Sequence, residues 1–143
     1  MRTISVFLSM ILFYVAASAQ TAADTAAIRE TALNYVEGWY ESNPGRMAKA
    51  LHPELAKRIV LRDTSGNQWL GNMGATQLIQ NTRRGGKDTP KEQQQKDVFV
   101  LDIYENTASV KAIMSGWIDY MHMAKWKGEW KIVNVLWELK PRR

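Results

Sequence analysis

The chain has 143 residues and a formal net charge of +5, with 45% hydrophobic residues and no cysteine. Without cysteine no disulfide can form, so the stability must come from a buried core. The basic surplus is mild and scattered, which argues against nucleic-acid binding. Two histidines without cysteine or a paired histidine motif argue against a metal site.

Residues 1–19 have the pattern of a secretory signal peptide. Arg2 precedes an apolar run over residues 4–16, and Ala17-Ser18-Ala19 provides an A-x-A cleavage site. The run is shorter than the roughly 20 residues that a membrane-spanning helix needs. We therefore expect cleavage after Ala19, a periplasmic or secreted protein without a membrane span, and a single domain over residues 20–143.

Three helices and a hairpin are predicted before the main sheet. Apolar residues recur at helical spacing over residues 24–41, and Asp24 can cap the start of that helix. Asn43 and Pro44 then suit the N-cap and first position of a short second helix. The remaining patterns predict a hairpin over residues 55–71, a third helix over 73–83 and an exposed loop over 87–96.

The rest of the chain predicts an antiparallel meander of long strands. The strands cover residues 96–104, 107–126 and 129–139, and Gly116 marks a bulge or bend within the long middle strand. Simple alternation in the last strand puts Asn134 on the side that faces the helices. Both faces of the sheet are mostly apolar, so we expect a homodimer in which a second subunit covers the outer face.

Helices followed by such a meander, with matching stretches at residues 32–58, 100–112 and 119–137, resemble the NTF2-like superfamily and, within it, the putative lumazine-binding and SnoaL-like group. The resemblance implies an α+β, cystatin-like cone, in which three N-terminal helices pack on a strongly curved antiparallel sheet and close over a cavity. Enzymes of this superfamily, such as ketosteroid isomerase, scytalone dehydratase and polyketide cyclases, use an Asp or His with a Tyr or a second acid inside that cavity. No such catalytic set matches this sequence in full, and we predict no cofactor.

The candidate site residues are aromatic or polar. Tyr35, Trp39, Trp69 and Tyr120 can stack on a flat ring, although aromatic residues at regular spacing are also typical of a core. The other predicted ligand contacts are His52, His122 and Asn134, each of which can instead be satisfied by hydrogen bonds to its surroundings.

Asp119 and His122 are the candidate catalytic residues. They lie three residues apart on a strand, so in a regular strand they point to opposite faces. Either one of them reaches the cavity, or both serve to fix the curved sheet through hydrogen bonds.

We predict that the cavity binds a small, partly apolar, ring-containing molecule without transforming it. The first alternative is an acid–base enzyme of the isomerase or dehydratase type, in which His122 or Asp119 moves a proton and Tyr35 or Asn134 stabilises an oxyanion. The second is a structural dimerisation module with a filled core and no ligand.

Overall fold

A computed structural model describes residues 3–141 of the chain, with side chains from residue 22 onward. The side chains of the predicted signal peptide lie outside the described residues, so cleavage after Ala19 stays a prediction. The elements are α1 (Thr3–Tyr40), α2 (Pro44–Ala50), β1 (Leu51–Arg62), β2 (Gln68–Met73), α3 (Ala75–Thr82), β3 (Lys96–Tyr104), β4 (Thr107–Met114), β5 (Trp117–Trp126) and β6 (Glu129–Leu139). Two short 3-10 turns, Gly86–Asp88 and Lys91–Gln93, precede β3.

The six strands form one sheet in the order β2-β1-β6-β5-β4-β3. Strands β1 and β6 pair in parallel, and all other neighbours pair antiparallel. The chain builds one edge of the sheet as the β1–β2 hairpin, crosses to the other edge through α3 and the 3-10 turns, and returns strand by strand to β1. Helices on one face of a sheet dominated by antiparallel pairs confirm the predicted α+β, cystatin-like fold.

Helix α1 packs along the inner face of the sheet. Its buried stripe contains Ile28, Ala32 and Val36, all fully inaccessible to solvent. Opposite them lie sheet residues such as Met121 and Ile132, which are equally buried. Fully burying a valine, isoleucine or methionine side chain contributes about 1.5–3 kcal/mol, so this contact carries much of the stability. Within the residues that the structure describes, no helix is long and apolar enough to cross a membrane.

Asp24 lies inside α1, so the prediction that it begins the helix was wrong. The helix already runs from Thr3, and the Asp24 carboxylate instead reaches the sheet. Its Oδ1 accepts hydrogen bonds from Lys125 Nζ at 2.8 Å and from Trp130 Nε1 at 3.0 Å. Asn43 does cap α2 as predicted, because its side chain accepts from the Arg46 backbone N–H.

The prediction of one long middle strand was also wrong. Strands β4 and β5 are two neighbours of a hairpin, in which Ile113 pairs with Ile118, so Gly116 belongs to a turn rather than a bulge. The turn is tied to the end of α1, because the Tyr40 hydroxyl accepts from the Ser115 backbone N–H at 2.9 Å. The segments on both sides of Gly116 have the same alternation of apolar and polar residues, so nothing in that pattern indicates that the strand ends there.

The pairing of the strands shifts register in three other places, and one of these shifts reverses a predicted face. On β6, His122 pairs with Asn134 and Met123 with Ile132, which leaves Val133 as an extra residue. Beyond Val133 the alternation is therefore inverted, and Asn134 lies on the outer face rather than on the helix side, as simple alternation had predicted. Leu101 is the corresponding extra residue on β3.

Candidate functional site

A cavity of about 160 Å³ lies between the inner face of the sheet and the helices. Its lining is mainly apolar and aromatic, and the exposed side chain of Leu139 lies at its edge. The lining residues are Tyr35, Trp39, Lys57, Met73, Leu78, Asn81, Trp117, Trp137 and Leu139. Among the side chains of this lining, the Tyr35 hydroxyl, the Lys57 amine, the Asn81 amide and the indole N–H groups of Trp39 and Trp137 offer polar contacts to an occupant.

Three tryptophans form one aromatic side of the cavity. Trp117 contacts Trp39 edge to face at a centroid distance of 5.5 Å and Trp137 at 6.4 Å. Gly85 packs on Trp39, because a Cβ there would lie 2.6 Å from the Trp39 carbonyl oxygen and 3.2 Å from the indole ring. A side chain at residue 85 would therefore displace Trp39, and the glycine keeps this part of the wall in place.

A buried ion pair joins β1 to β5 at the cavity. Lys57 is 5% exposed and Asp119 is 0% exposed. Lys57 Nζ donates to Asp119 Oδ1 and, at 2.7 Å, to Tyr35 Oη. Asp119 Oδ2 accepts from Trp117 Nε1 at 2.9 Å, so both oxygens of the carboxylate have a partner. The ammonium also stands over the Trp137 ring, 4.7 Å from its centroid.

Burial shifts the protonation equilibria of two groups in this cluster. Burial lowers the pKa of Lys57, and the charge of Asp119 and their hydrogen bond oppose that shift. Burial raises the pKa of the Tyr35 hydroxyl well above its ordinary value, and the charge of Asp119 and a hydrogen bond with it add to the rise. Tyr35 is thus a protonated donor at neutral pH. Lys57 loses its proton to give the neutral amine more readily than a solvated lysine does.

Lys57 was not among the residues predicted from the sequence. It occupies an inward position of β1, between the buried residues Leu55 and Ile59. A basic residue at an apolar position of an alternating strand is the signal that identifies it. Its partner Asp119 is distant in sequence, and only the sheet brings the two together.

The structure places two of the predicted ligand contacts, Tyr35 and Trp39, in the cavity wall. Asp119 lies directly behind Lys57 and does not itself line the cavity. Trp69 and Tyr120 are about half exposed and lie away from the cavity. His52 packs against Trp126 at 5.1 Å between ring centroids. The roles of these residues in ligand binding stay predictions.

His122 and Asn134 belong to a polar row on the outer face. Asn134 Nδ2 lies 3.3 Å from His122 Nδ1, and its Oδ1 accepts from Arg58 at 3.3 Å. Arg58 in turn donates to Asn72 Oδ1 at 3.0 Å, so the row crosses strands β5, β6, β1 and β2. Asp119 and His122 therefore lie on opposite faces, as their spacing predicted. In the described part of the chain, no group of three or more His, Cys, Asp or Glu residues is arranged to hold a metal ion.

Comparisons with solved structures agree on the fold. An NTF2-like protein of unknown function from Shewanella baltica is 18% identical, over 85% of this chain and 97% of that chain, with a TM-score of 0.64. An NTF2-like protein with a cystatin-like fold from Novosphingobium aromaticivorans is 11% identical, over 92% of both chains, with a TM-score of 0.68. A "Putative Scytalone Dehydratase" from the same organism is 11% identical, over 87% of this chain and 89% of that chain, with a TM-score of 0.56. At these identities the likeness concerns the fold alone.

No curated protein matches the chain. The sequence profile of one family does match, and it covers most of the chain, from residue 23 to residue 138. The matched segment includes Tyr35, Lys57, Asp119 and all six strands except the last residue of β6. The chain therefore belongs to the family described as "Putative lumazine-binding" and has the NTF2-like fold.

Proposed function

We propose that the protein binds a small, flat-ringed, partly apolar molecule in the cavity between helices and sheet. The observation that carries the proposal is an apolar, tryptophan-lined cavity with one ammonium donor in its wall. A cavity of about 150 Å³ in another protein is known to hold benzene, so 160 Å³ suits a single substituted ring. The family description, which names a small-molecule ligand, supports the same conclusion.

The Lys57 ammonium also suggests that the ligand carries a hydrogen-bond acceptor. Lys57 has three N–H donors, of which Asp119 and Tyr35 each accept one. The third can donate to an acceptor on the ligand, such as a carbonyl oxygen, while the ring packs against Trp39 and Trp137. We further propose that the protein acts outside the cytoplasm, because residues 1–19 have the signal pattern described above.

Binding can be tested by calorimetric titration with benzyl alcohol and with lumazine. Trp39→Ala removes an aromatic wall, and we expect about a tenfold loss of affinity for whichever probe binds. Trp126→Ala is the matched control, because Trp126 lies outside the cavity. Equal affinities in the wild type and in Trp39→Ala, or no binding of either probe, would contradict the proposal.

The acid–base alternative has less support from the geometry. His122 lies on the outer face, and Asp119 is separated from the cavity by Lys57 with both carboxylate oxygens already engaged. A general base must come within hydrogen-bond reach of its substrate. Neither residue meets that condition for a molecule held in this cavity.

We also propose that two copies pair through the outer face of the sheet. Five large apolar side chains on that face are about half exposed, namely Val60, Leu70, Phe99, Tyr120 and Leu136. Apolar side chains grouped on one sheet face are typical of a protein interface.

Sedimentation velocity tests this pairing. Leu136→Glu should convert a dimer to a monomer, because it places a charge in the centre of the interface. Trp69→Glu is the control, since Trp69 is as exposed as Leu136, 51% in both cases, but points to the other side of the sheet. A wild-type chain that sediments as a monomer would contradict the pairing.

A further inference from the structure

Lys57 differs from the other lysines of the chain in its surroundings. All lysines lie within the residues whose side chains the structure describes, and among them Lys57 alone is buried. Removing two charges from water costs several kcal/mol per ion, and an apolar pair of similar size is often no less stable. A buried titratable pair at the wall of a cavity is therefore a candidate for chemistry rather than for stability.

We propose that Lys57 forms a reversible imine with the carbonyl carbon of a small, ring-bearing aldehyde or ketone held in the cavity. The inference depends on the proposed function, because the carbonyl compound must occupy the same cavity. Its ring would lie among Trp39, Trp117 and Trp137, and its carbonyl group would point at Lys57 Nζ. The protein would then capture its ligand covalently and release it by hydrolysis.

The step balances without an oxidant or a reductant. Asp119 Oδ1 accepts a proton from the ammonium, and the amine nitrogen then forms a bond to the carbonyl carbon. The carbonyl electron pair moves to oxygen, which is protonated to give a carbinolamine. The proton held by Asp119 returns through Tyr35 to that hydroxyl, which leaves as water, and a protonated imine paired with the Asp119 carboxylate remains. The nitrogen has lost two protons and the carbonyl its oxygen, and together they make one water.

The neighbouring groups are placed for these proton transfers. Tyr35 Oη lies 2.7 Å from Lys57 Nζ and lines the cavity, so it can pass a proton between the nitrogen and the developing hydroxyl. Its raised pKa keeps it protonated for this task, and the lowered pKa of Lys57 increases the share of neutral amine. Trp117 holds the second oxygen of Asp119 and so directs the first toward Lys57.

Reductive trapping tests the inference directly. The full chain is incubated with benzaldehyde and cyanoborohydride, which turns an imine into a stable secondary amine, and the modified residue is located by peptide mass mapping. We expect labelling at Lys57 to be faster than at any other lysine by about tenfold or more. Excess benzyl alcohol, which fits the same space but has no carbonyl group, should suppress it.

Two conservative variants complete the experiment. Lys57→Arg keeps the charge beside Asp119 but cannot form an imine, so the cavity label should disappear. Lys131→Arg is the control, because Lys131 pairs with Glu129 outside the cavity, and it should label as the wild type does. Circular dichroism checks that both variants fold, and mapping of the wild-type chain remains decisive if one of them does not.

The outcomes separate this inference from the proposed function. If benzyl alcohol binds but Lys57 is labelled no faster than the surface lysines, the imine is wrong and the binding cavity stands. If neither compound binds, both proposals fail. Labelling spread over exposed lysines, unaffected by benzyl alcohol or by Lys57→Arg, also overturns the imine.

Discussion

The two faces of strand β5 carry polar groups three residues apart, and they meet opposite surroundings. On the inner face, Asp119 pairs with Lys57 at the edge of an apolar cavity, where neither is more than 5% exposed. On the outer face, His122 joins Asn134 and Arg58 in a row that is open to solvent. Solvent, rather than residue type, therefore decides which cluster is costly to disturb.

The largest difference between the faces should appear when one partner of each cluster is removed. Asp119→Ala leaves the ammonium of Lys57 buried without its counter-ion, so we expect a loss of about 3–5 kcal/mol in the free energy of unfolding. His122→Ala, on the outer face, should change it by less than about 0.5 kcal/mol. Urea unfolding of the two variants measures both losses, and equal losses would mean that burial does not make the inner cluster more costly to disturb.

Replacing both residues of the inner pair tests whether the ion pair itself stabilises the fold. The double variant Lys57→Met with Asp119→Leu removes both charges and keeps similar volume, so it should recover most of the stability that Asp119→Ala loses. If the double variant is as unstable as Asp119→Ala, the pair itself stabilises the fold. That result would remove the reason for assigning the pair to ligand chemistry.

The next largest loss in the free energy of unfolding should come from removing the hydrogen bond that Trp117 Nε1 donates to Asp119 Oδ2, at 2.9 Å. Trp117→Phe keeps an aromatic ring but leaves a buried carboxylate oxygen without its donor, which should cost about 1.5–3 kcal/mol in the free energy of unfolding. Trp126→Phe is the matched control, because Trp126 is half exposed and no hydrogen bond of its indole N–H is described. Thermal unfolding of the two variants should separate them clearly, and equal midpoints would contradict the role of Trp117.

The third difference between the two faces is in how the free energy of unfolding depends on pH in the alkaline range. The folded-state pKa of Lys57 lies below its ordinary value of 10.5, so between the two values the unfolded chain binds more protons and the free energy of unfolding rises with pH. Tyr35 has the opposite effect: its folded-state pKa lies well above 10.0, so stability falls as pH rises beyond that value. Tyr35→Phe should abolish that fall.

Urea unfolding from about pH 8 to about pH 11 measures both slopes. Tyr120→Phe is the control on the outer face, where Tyr120 is half exposed, and its profile should follow that of the wild type. If Tyr35→Phe and Tyr120→Phe give the same profile, burial does not control the protonation of Tyr35.

The same two faces also show which features of the fold and the site can be predicted from the sequence and which cannot. Turn residues and alternation located β3 and β6, and helical spacing located the buried stripe of α1, because these are local patterns. The bulge at Val133 carries no local mark, since it is one β-branched residue among several, and it moved Asn134 to the outer face. The inner pair joins β1 to β5 through long-range sheet pairing, so Asp119 and an inward Lys57 could each be proposed from local patterns, but not the contact between them.

The smallest effects should come from the outer row itself. Asn134 links His122 to Arg58 through contacts of 3.3 Å each, at the long end of hydrogen-bond distances. In water such contacts exchange with solvent, so a double-mutant cycle of His122→Ala and Asn134→Ala should give a coupling energy of no more than about 1 kcal/mol. If the outer face pairs two subunits, the same row becomes desolvated, and the coupling should then increase with protein concentration as the dimer forms. Cycles measured above and below the dissociation midpoint would show that change, whereas a coupling that is small and constant would mean that the row stays in water.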